Sequence, residues 1–209
     1  MPDVIDDLVR FRAANDGDKP MVIDPDARLS YADLDATTRE LAAAFIAAGV
    51  GKGTRVGLIM PNCVQWVQIA VALTRIGAVL VPLSTLLQPP ELVGQLRVAS
   101  VQYLVAVEEF RGHRYLEDLA PELVSLPALR EVFRADQLPQ LTDVAKVDAM
   151  AEIVTPSDTL AIMFTSGSSG PPKGVIHSHG NALGAVRSGL AARCINEDTR
   201  LYLDRKSVV

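Results

Sequence analysis

RVGLIMPNCVQWVQIAVALTRIGAVLVP, residues 55–82, decides the fold. Arg55 to Met60 form a short apolar run, and Pro61-Asn62 turns the chain. Over 63–76 the residues are apolar almost all round, with Gln65, Gln68 and Arg75 as one narrow polar stripe, which predicts a mostly buried helix. Gly77 ends that helix, and 78–81 is a second apolar run stopped by Pro82. Strand, helix and strand in this order make a β-α-β unit, which requires parallel strands and a right-handed crossover.

Upstream, 4–14 has helical spacing through Ile5, Leu8 and Phe11, and Asn15-Asp16-Gly17-Asp18 stops it. Met21-Val22-Ile23, the turn Asp24-Pro25-Asp26 and Arg28-Leu29 predict a small hairpin. Ser30 with Asp33 three residues on is a capping-box pair, and Leu34, Leu41, Phe45 and Ala48 share one helical face until Gly49. Downstream, Pro89-Pro90-Glu91 opens a helix to about residue 100 with Leu92 and Leu96 inward, and 102–107 is a strand. The pattern then predicts a helix over 108–124, a strand over 129–133, and a long polar connection over 134–158 with a short helix near 147–153. Strands alternating with helices make this an α/β chain, a mostly parallel sheet with helices on both faces.

The chain has 209 residues, enough for one sizeable domain burying about 70% of its unfolded surface. A hydrophobic fraction of 49% excludes intrinsic disorder, and a net charge of −5 without a Lys/Arg cluster gives no nucleic-acid partner. The two cysteines, Cys63 and Cys194, form neither a disulfide framework nor a zinc spacing, and the acidic amino terminus is unlike an export signal. A cytoplasmic location is expected. The longest apolar run, 67–83, is interrupted by Gln68, Thr74, Arg75 and Gly77 and falls short of a membrane span.

The candidate chemistry lies in Thr165-Ser166-Gly167-Ser168-Ser169-Gly170-Pro171-Pro172-Lys173-Gly174-Val175. Glycines let a backbone approach an anion, hydroxyls supply neutral donors and the lysine adds a point charge, so the composition suits a phosphate. Ser/Gly-rich stretches are more often flexible linkers, but a linker joins solvated segments. This one sits between the apolar run 160–164, read as a buried strand, and a second run from Val175. It is not a Walker loop, because Pro172 precedes Lys173 and Gly174 follows it.

T-S-G-S-S-G-x-P-K-G-V, followed by His177-Ser178-His179 and Asn181, resembles the signature loop of the AMP-forming acyl-CoA synthetases, a superfamily that includes peptide-synthetase adenylation domains and luciferases. GVGKGTRVGLIMPN at 49–62 and GAVLVPL at 77–83 resemble its amino-terminal motifs, in the same order. The resemblance implies a loop that closes over the phosphates of ATP while a carboxylate attacks the α-phosphate, giving an acyl-adenylate and pyrophosphate. It assigns Thr165, Ser166, Gly167, Ser168, Ser169 and Gly170 to the phosphates and Lys173 to a charge near the β- or γ-phosphate. Gly174 would let the chain turn into the next strand. Mg2+ is implied with ATP, held chiefly by the phosphates, and coenzyme A as acceptor of the acyl group. Pro82-Leu83-Ser84-Thr85 resembles the free-standing ligases, which favours a fatty or aromatic acid over an amino acid.

His177 and His179 on one strand would point both rings to one face, as a metal pair does, but the remaining histidine, His113, is remote in sequence and supplies no third ligand. Trp66 is expected in the core. No catalytic residue is assigned. The family pattern holds through 198–203, after which a proline-aromatic-histidine motif is expected. Asp204-Arg205-Lys206-Ser207-Val208-Val209 stands there instead, which is what GAT CGG AAG AGC GTC GTG encodes, the start of a widely used sequencing-library adapter. The expectation is a partial AMP-binding domain over 1–203, an artefactual tail over 204–209, and a fragment inactive by itself.

Overall fold

The computed structural model describes residues 2–138, 141, 143–165 and 172–202. It opens with helix α1 (Ile5–Asp16), the antiparallel hairpin of β1 (Pro20–Ile23) and β2 (Arg28–Ser30), and helix α2 (Tyr31–Ala47). The capping box is formed: the Asp33 amide donates to Ser30 Oγ at 3.1 Å, and Asp33 Oδ2 accepts from the Ser30 amide at 3.3 Å. Gly49, at φ 89°, closes α2, with the Val50 amide reaching back to the Phe45 carbonyl, a reversal that a side chain would strain.

The β-α-β unit follows as β3 (Arg55–Ile59), α3 (Val64–Arg75) and β4 (Val79–Pro82), with Arg55 opposite Val79 and Leu58 opposite Pro82 in parallel register. Then come α4 (Pro89–Val98), β5 (Tyr103–Ala106), α5 (Tyr115–Leu119), β6 (Glu131–Arg134), α6 (Ala145–Glu152), β7 (Thr159–Thr165), β8 (Lys173–Ser178) and α7 (His179–Ala192). The six-stranded sheet has the order β6-β5-β3-β4-β7-β8; its first five strands are parallel and β8 is antiparallel to β7.

Both faces of the sheet centre are covered, so its strands are continuously apolar rather than alternating. Val56, Leu58, Leu80, Tyr103 and Val105 face α2 and α3, where Phe45, Ile69, Leu73 and Ile76 fill the layer. Ile59, Val81, Leu104 and Ala106 face the opposite side, against Leu92 and Leu96 of α4 and Tyr115 and Leu119 of α5. Leu58, Leu73 and Leu104 are fully buried, each worth about 1.5–3 kcal/mol relative to exposure. Trp66, expected in the core, is half-buried and packs against the edge of the α2–α3 layer.

Three expectations need correction. The helix over 108–124 is broken: Phe110 and His113 form a bridge, α5 has five residues, and Ala120–Ser125 continues as a 3-10 helix, because Pro121 cannot supply an amide to an α-helical ladder. The strand before the loop is not buried throughout, since in β7 Ala161 alone is fully covered and Met163 is 47% exposed. The polar stripe on α3 is enclosed with its helix, as a mostly buried helix requires. Arg75 is 0% exposed, and Gln65 and Gln68 donate to the Ala135 carbonyl and to Thr37 Oγ1. Finally, His177 lies in β8 whereas His179 begins α7, so the two rings do not share a strand face.

Arg75 organises a polar network where α1, α2 and α3 meet. Its Nε donates to Asp6 Oδ1 at 2.7 Å, Nη2 to Asp35 Oδ1 at 2.6 Å, and Nη1 to the Asp35 carbonyl and Thr38 Oγ1 at 3.0 and 2.8 Å. Asp6 also accepts from Arg10 Nε at 2.6 Å, and Arg10 reaches Asp148 on α6, which Arg39 holds from α2. These guanidinium contacts keep the Asp148 carboxyl below its usual range, Arg10 foremost.

Candidate functional site

β7 leaves the sheet at the carboxyl ends of β3, β4 and β5, the edge at which open α/β sheets bind ligands. Thr165, the last residue of β7, is paired with Lys173, the first of β8, so residues 166–172 connect an antiparallel hairpin whose neck is in register. Both neck residues are exposed, leaving the Thr165 hydroxyl and the Lys173 ammonium available to an anion above the sheet. That donor set fits a phosphate. Ser166, Gly167, Ser168, Ser169 and Gly170 lie outside the described residues.

Gly174 does something other than turn the chain. It sits inside β8 opposite Phe164, and a Cβ there would lie 2.7 Å from Ile162 Cγ2 and 3.6 Å from the Phe164 ring. Its missing side chain lets β8 approach β7 closely, which sets where the neck stands. Beneath the hairpin, a Cβ on Gly94 of α4 would meet Pro172 at 3.8 Å, so α4 passes close under the loop's return.

The helix after the loop is anchored at its start. Ser178 Oγ accepts from the Asn181 amide at 3.1 Å, the His179 amide donates to the Asp158 carbonyl at 3.1 Å and the Gly180 amide to the Pro156 carbonyl at 2.8 Å. His179 is fully buried. Its Nδ1 accepts from the Ile5 amide at 3.2 Å, while Nε2 has no partner among the described residues. Burial lowers its pKa, against an opposing pull from Asp158. A buried ring engaged this way is no metal pair with His177, and the described residues hold no His/Cys/Asp/Glu group able to bind a metal ion.

A second concavity of about 540 Å³ opens beyond β5 and β6, lined by Gln65, Glu108, Glu109, Arg114 and Asp136. Its one lining arginine, Arg114, pairs with Glu117 at 2.9 Å, and two of its carboxylates, Glu108 and Asp136, are held by Arg134 at 2.7 and 3.0 Å. Three carboxylates on its wall, Glu108, Glu109 and Asp136, disfavour a phosphate there.

The sequence reading had no means of finding His179 or Arg75 in these roles. Their partners are the Ile5 amide and Asp6, far away along the chain, and neither contact leaves a periodic or local signature. No helix among the described residues is long and apolar enough to cross a membrane.

Among known proteins, the chain is 30% identical to the long-chain-fatty-acid–CoA ligase FadD13 of Mycobacterium tuberculosis, over 85% of its own length and 35% of the relative's. It is 32% identical to a 3-[(3aS,4S,7aS)-7a-methyl-1,5-dioxo-octahydro-1H-inden-4-yl]propanoyl:CoA ligase of Rhodococcus jostii, over 92% of this chain and 41% of that one. The chain thus spans well under half the length of these curated relatives. The crystal structure of the inhibitor-bound amino-terminal domain of FACL13 from Mycobacterium tuberculosis superposes with a TM-score of 0.68 at 25% identity, covering 94% of this chain and 48% of that one. The family model described as AMP-binding enzyme matches residues 9–204, and with the loop, its hairpin neck and the sheet in agreement, the chain belongs to that family.

Proposed function

We propose that the chain is part of a ligase that activates a carboxylic acid with ATP, through an acyl-adenylate, and passes the acyl group to coenzyme A. The observation that carries this is the sequence Thr165-Ser166-Gly167-Ser168-Ser169-Gly170-Pro171-Pro172-Lys173-Gly174 on a hairpin whose neck stands at the carboxyl edge of a parallel sheet. Thr165 and the hydroxyls and amides of 166–170 hold the phosphates, and Lys173 neutralises charge on the β- or γ-phosphate as pyrophosphate leaves. Held chiefly by the phosphates of ATP, Mg2+ would supply neutralisation of the charge on the departing pyrophosphate. Gly174, counted with the nucleotide-binding residues, contributes by fixing the neck.

A fatty or aromatic acid is the preferred substrate class; the name of the long-chain-fatty-acid–CoA ligase supports the fatty alternative. The reducing compartment expected from the cysteines remains part of this reading; Cys63 and Cys194 are both free thiols. Spanning well under half of its relatives' length, the chain alone is proposed to bind ATP without completing thioester formation. The stretch 204–209 is proposed to be an artefactual tail, and recovery of the same codons by independent resequencing would refute that.

The test is calorimetric titration of Mg-ATP into the 209-residue chain and into its Lys173→Ala and Gly170→Ala variants, followed by pyrophosphate exchange with the same substitutions in a longer enzyme containing this segment. Weaker ATP binding of about tenfold or more and a matching loss of exchange are expected. Unchanged binding and exchange in both variants would remove the assignment.

A further inference from the structure

α1 begins without a cap of its own. Val4 stands at its N-cap position and offers no side-chain acceptor, so the Ile5 amide is one of the donors that a helix leaves unsatisfied at its start. The acceptor comes from across the fold, from Nδ1 of His179 at 3.2 Å. His179 is the first residue of α7, the helix that β8 feeds directly after the loop. One ring therefore joins the start of the amino-terminal helix to the element that carries the loop's exit.

Two further links run between the same parts. Arg187 of α7 donates to Asp3 Oδ1 at 2.6 Å and to the Pro2 carbonyl, and Lys19 donates to the Glu197 carbonyl beyond the end of α7. These are surface contacts, whereas the His179 ring is 0% exposed.

The chemistry of the ring makes this contact conditional. Nδ1 accepts a hydrogen bond, so it carries no proton, and the neutral ring keeps its proton on Nε2. Adding a second proton turns Nδ1 into a donor facing the Ile5 donor. It also places a cation at the positive ends of two helices, since His179 is the first residue of α7 and faces the first residue of α1. Charged groups lie on both sides of it. Asp158 favours the cation but is engaged by Lys52 Nζ at 2.8 Å and by the Thr155 amide and hydroxyl. On the α1 side Asp3 is taken by Arg187, and Asp6 by Arg75 and Arg10.

We propose that His179 is a positioning residue, a proton-sensitive latch that caps α1 from across the fold and fastens the loop-bearing hairpin to the amino-terminal helix. Protonating the ring opens the latch and releases the start of α1 from α7. Because burial lowers the pKa of the folded ring, the latched state is fully stable above the ordinary histidine value of about 6.5 and loses stability as pH falls below it. Weaker ATP binding on release is a consequence that rests on the nucleotide reading above.

Three measurements on the 209-residue chain test this. Ring 1H–15N correlations at pH 7.5 are expected to show the Nε2–H tautomer of His179; an Nδ1–H tautomer would overturn the proposal without any variant having to fold. The amide protection factor of Ile5 is expected to fall about tenfold between pH 7.5 and 5.0 in the parent, and by less than about twofold in His179→Asn, whose oxygen replaces Nδ1 as acceptor and cannot be protonated. An equal fall in both proteins overturns it. Mg-ATP titrations at both pH values are expected to show a loss of affinity on acidification that is larger in the parent than in His179→Asn. Equal losses, with the latch opening as expected, overturn the coupling to nucleotide. No ATP binding at either pH, with the latch behaving as expected, overturns the nucleotide reading and leaves the latch standing.

Discussion

The region around α3 and the hairpin of β7 and β8 use charge and exposure in opposite ways. Around α3, Arg75 is buried, and its guanidinium is engaged by Asp6, Asp35 and Thr38. In the hairpin, Lys173 is exposed at the neck, and Val175 and Ile176 are 42% and 63% exposed along an edge strand. The first region gains a unique arrangement of three helices at the cost of desolvating charge; the second keeps its charge in water, where an incoming phosphate can reach it. A scaffold and a binding element thus differ less in composition than in how completely each polar group is already satisfied.

The sharpest way to break that contrast is at Arg75. Arg75→Met leaves Asp6, 5% exposed at its side chain, with Arg10 as its remaining guanidinium partner and is expected to lower stability by about 3 kcal/mol, read from urea unfolding. Adding Asp6→Asn should restore part of the loss; a neutral Arg75→Met would show that the network is mere decoration. Next is Gly174→Val, which forces a side chain onto Ile162 and is expected to cost about 1–3 kcal/mol in the same assay. An unchanged midpoint would mean that the hairpin is looser than its 2.7 Å approach requires. Ser30→Ala removes the cap of α2 and should cost about 1 kcal/mol. Lys173→Ala should move stability by less than about 0.5 kcal/mol while weakening Mg-ATP binding, the signature of a group that serves the ligand and not the fold.

Much of the fold was legible because its determinants are local. Ser30 and Asp33 are three residues apart and cap α2; Gly77 takes φ 72° where the pattern on α3 ends; the β-α-β unit emerged with its strands parallel. The alternation of helix and strand also placed the short α6 inside a long polar connection. The broken helix over 108–124 was misread because apolar spacing persists across Pro121 while the backbone ladder does not.

At the site, legibility was of another kind. The loop was recognised from residue types and order, and Thr165 and Lys173 do stand opposite each other at its neck. The reading of Gly174 as a turn failed, because its requirement is the distance to Ile162 on the neighbouring strand. The partners of Arg75 were out of reach for a related reason: Asp6 and Asp35 come to it from distant segments of the chain.

By itself the sequence determined the elements, the parallel order of the first strands and the identity of the loop, since propensity, capping and glycine requirements act over a few residues. Tertiary structure alone decided that β8 pairs antiparallel on the sheet edge, that Arg75 is buried, and that His179 caps a helix 174 residues away. Each of these depends on which groups from distant segments exclude water together, and no local pattern encodes that.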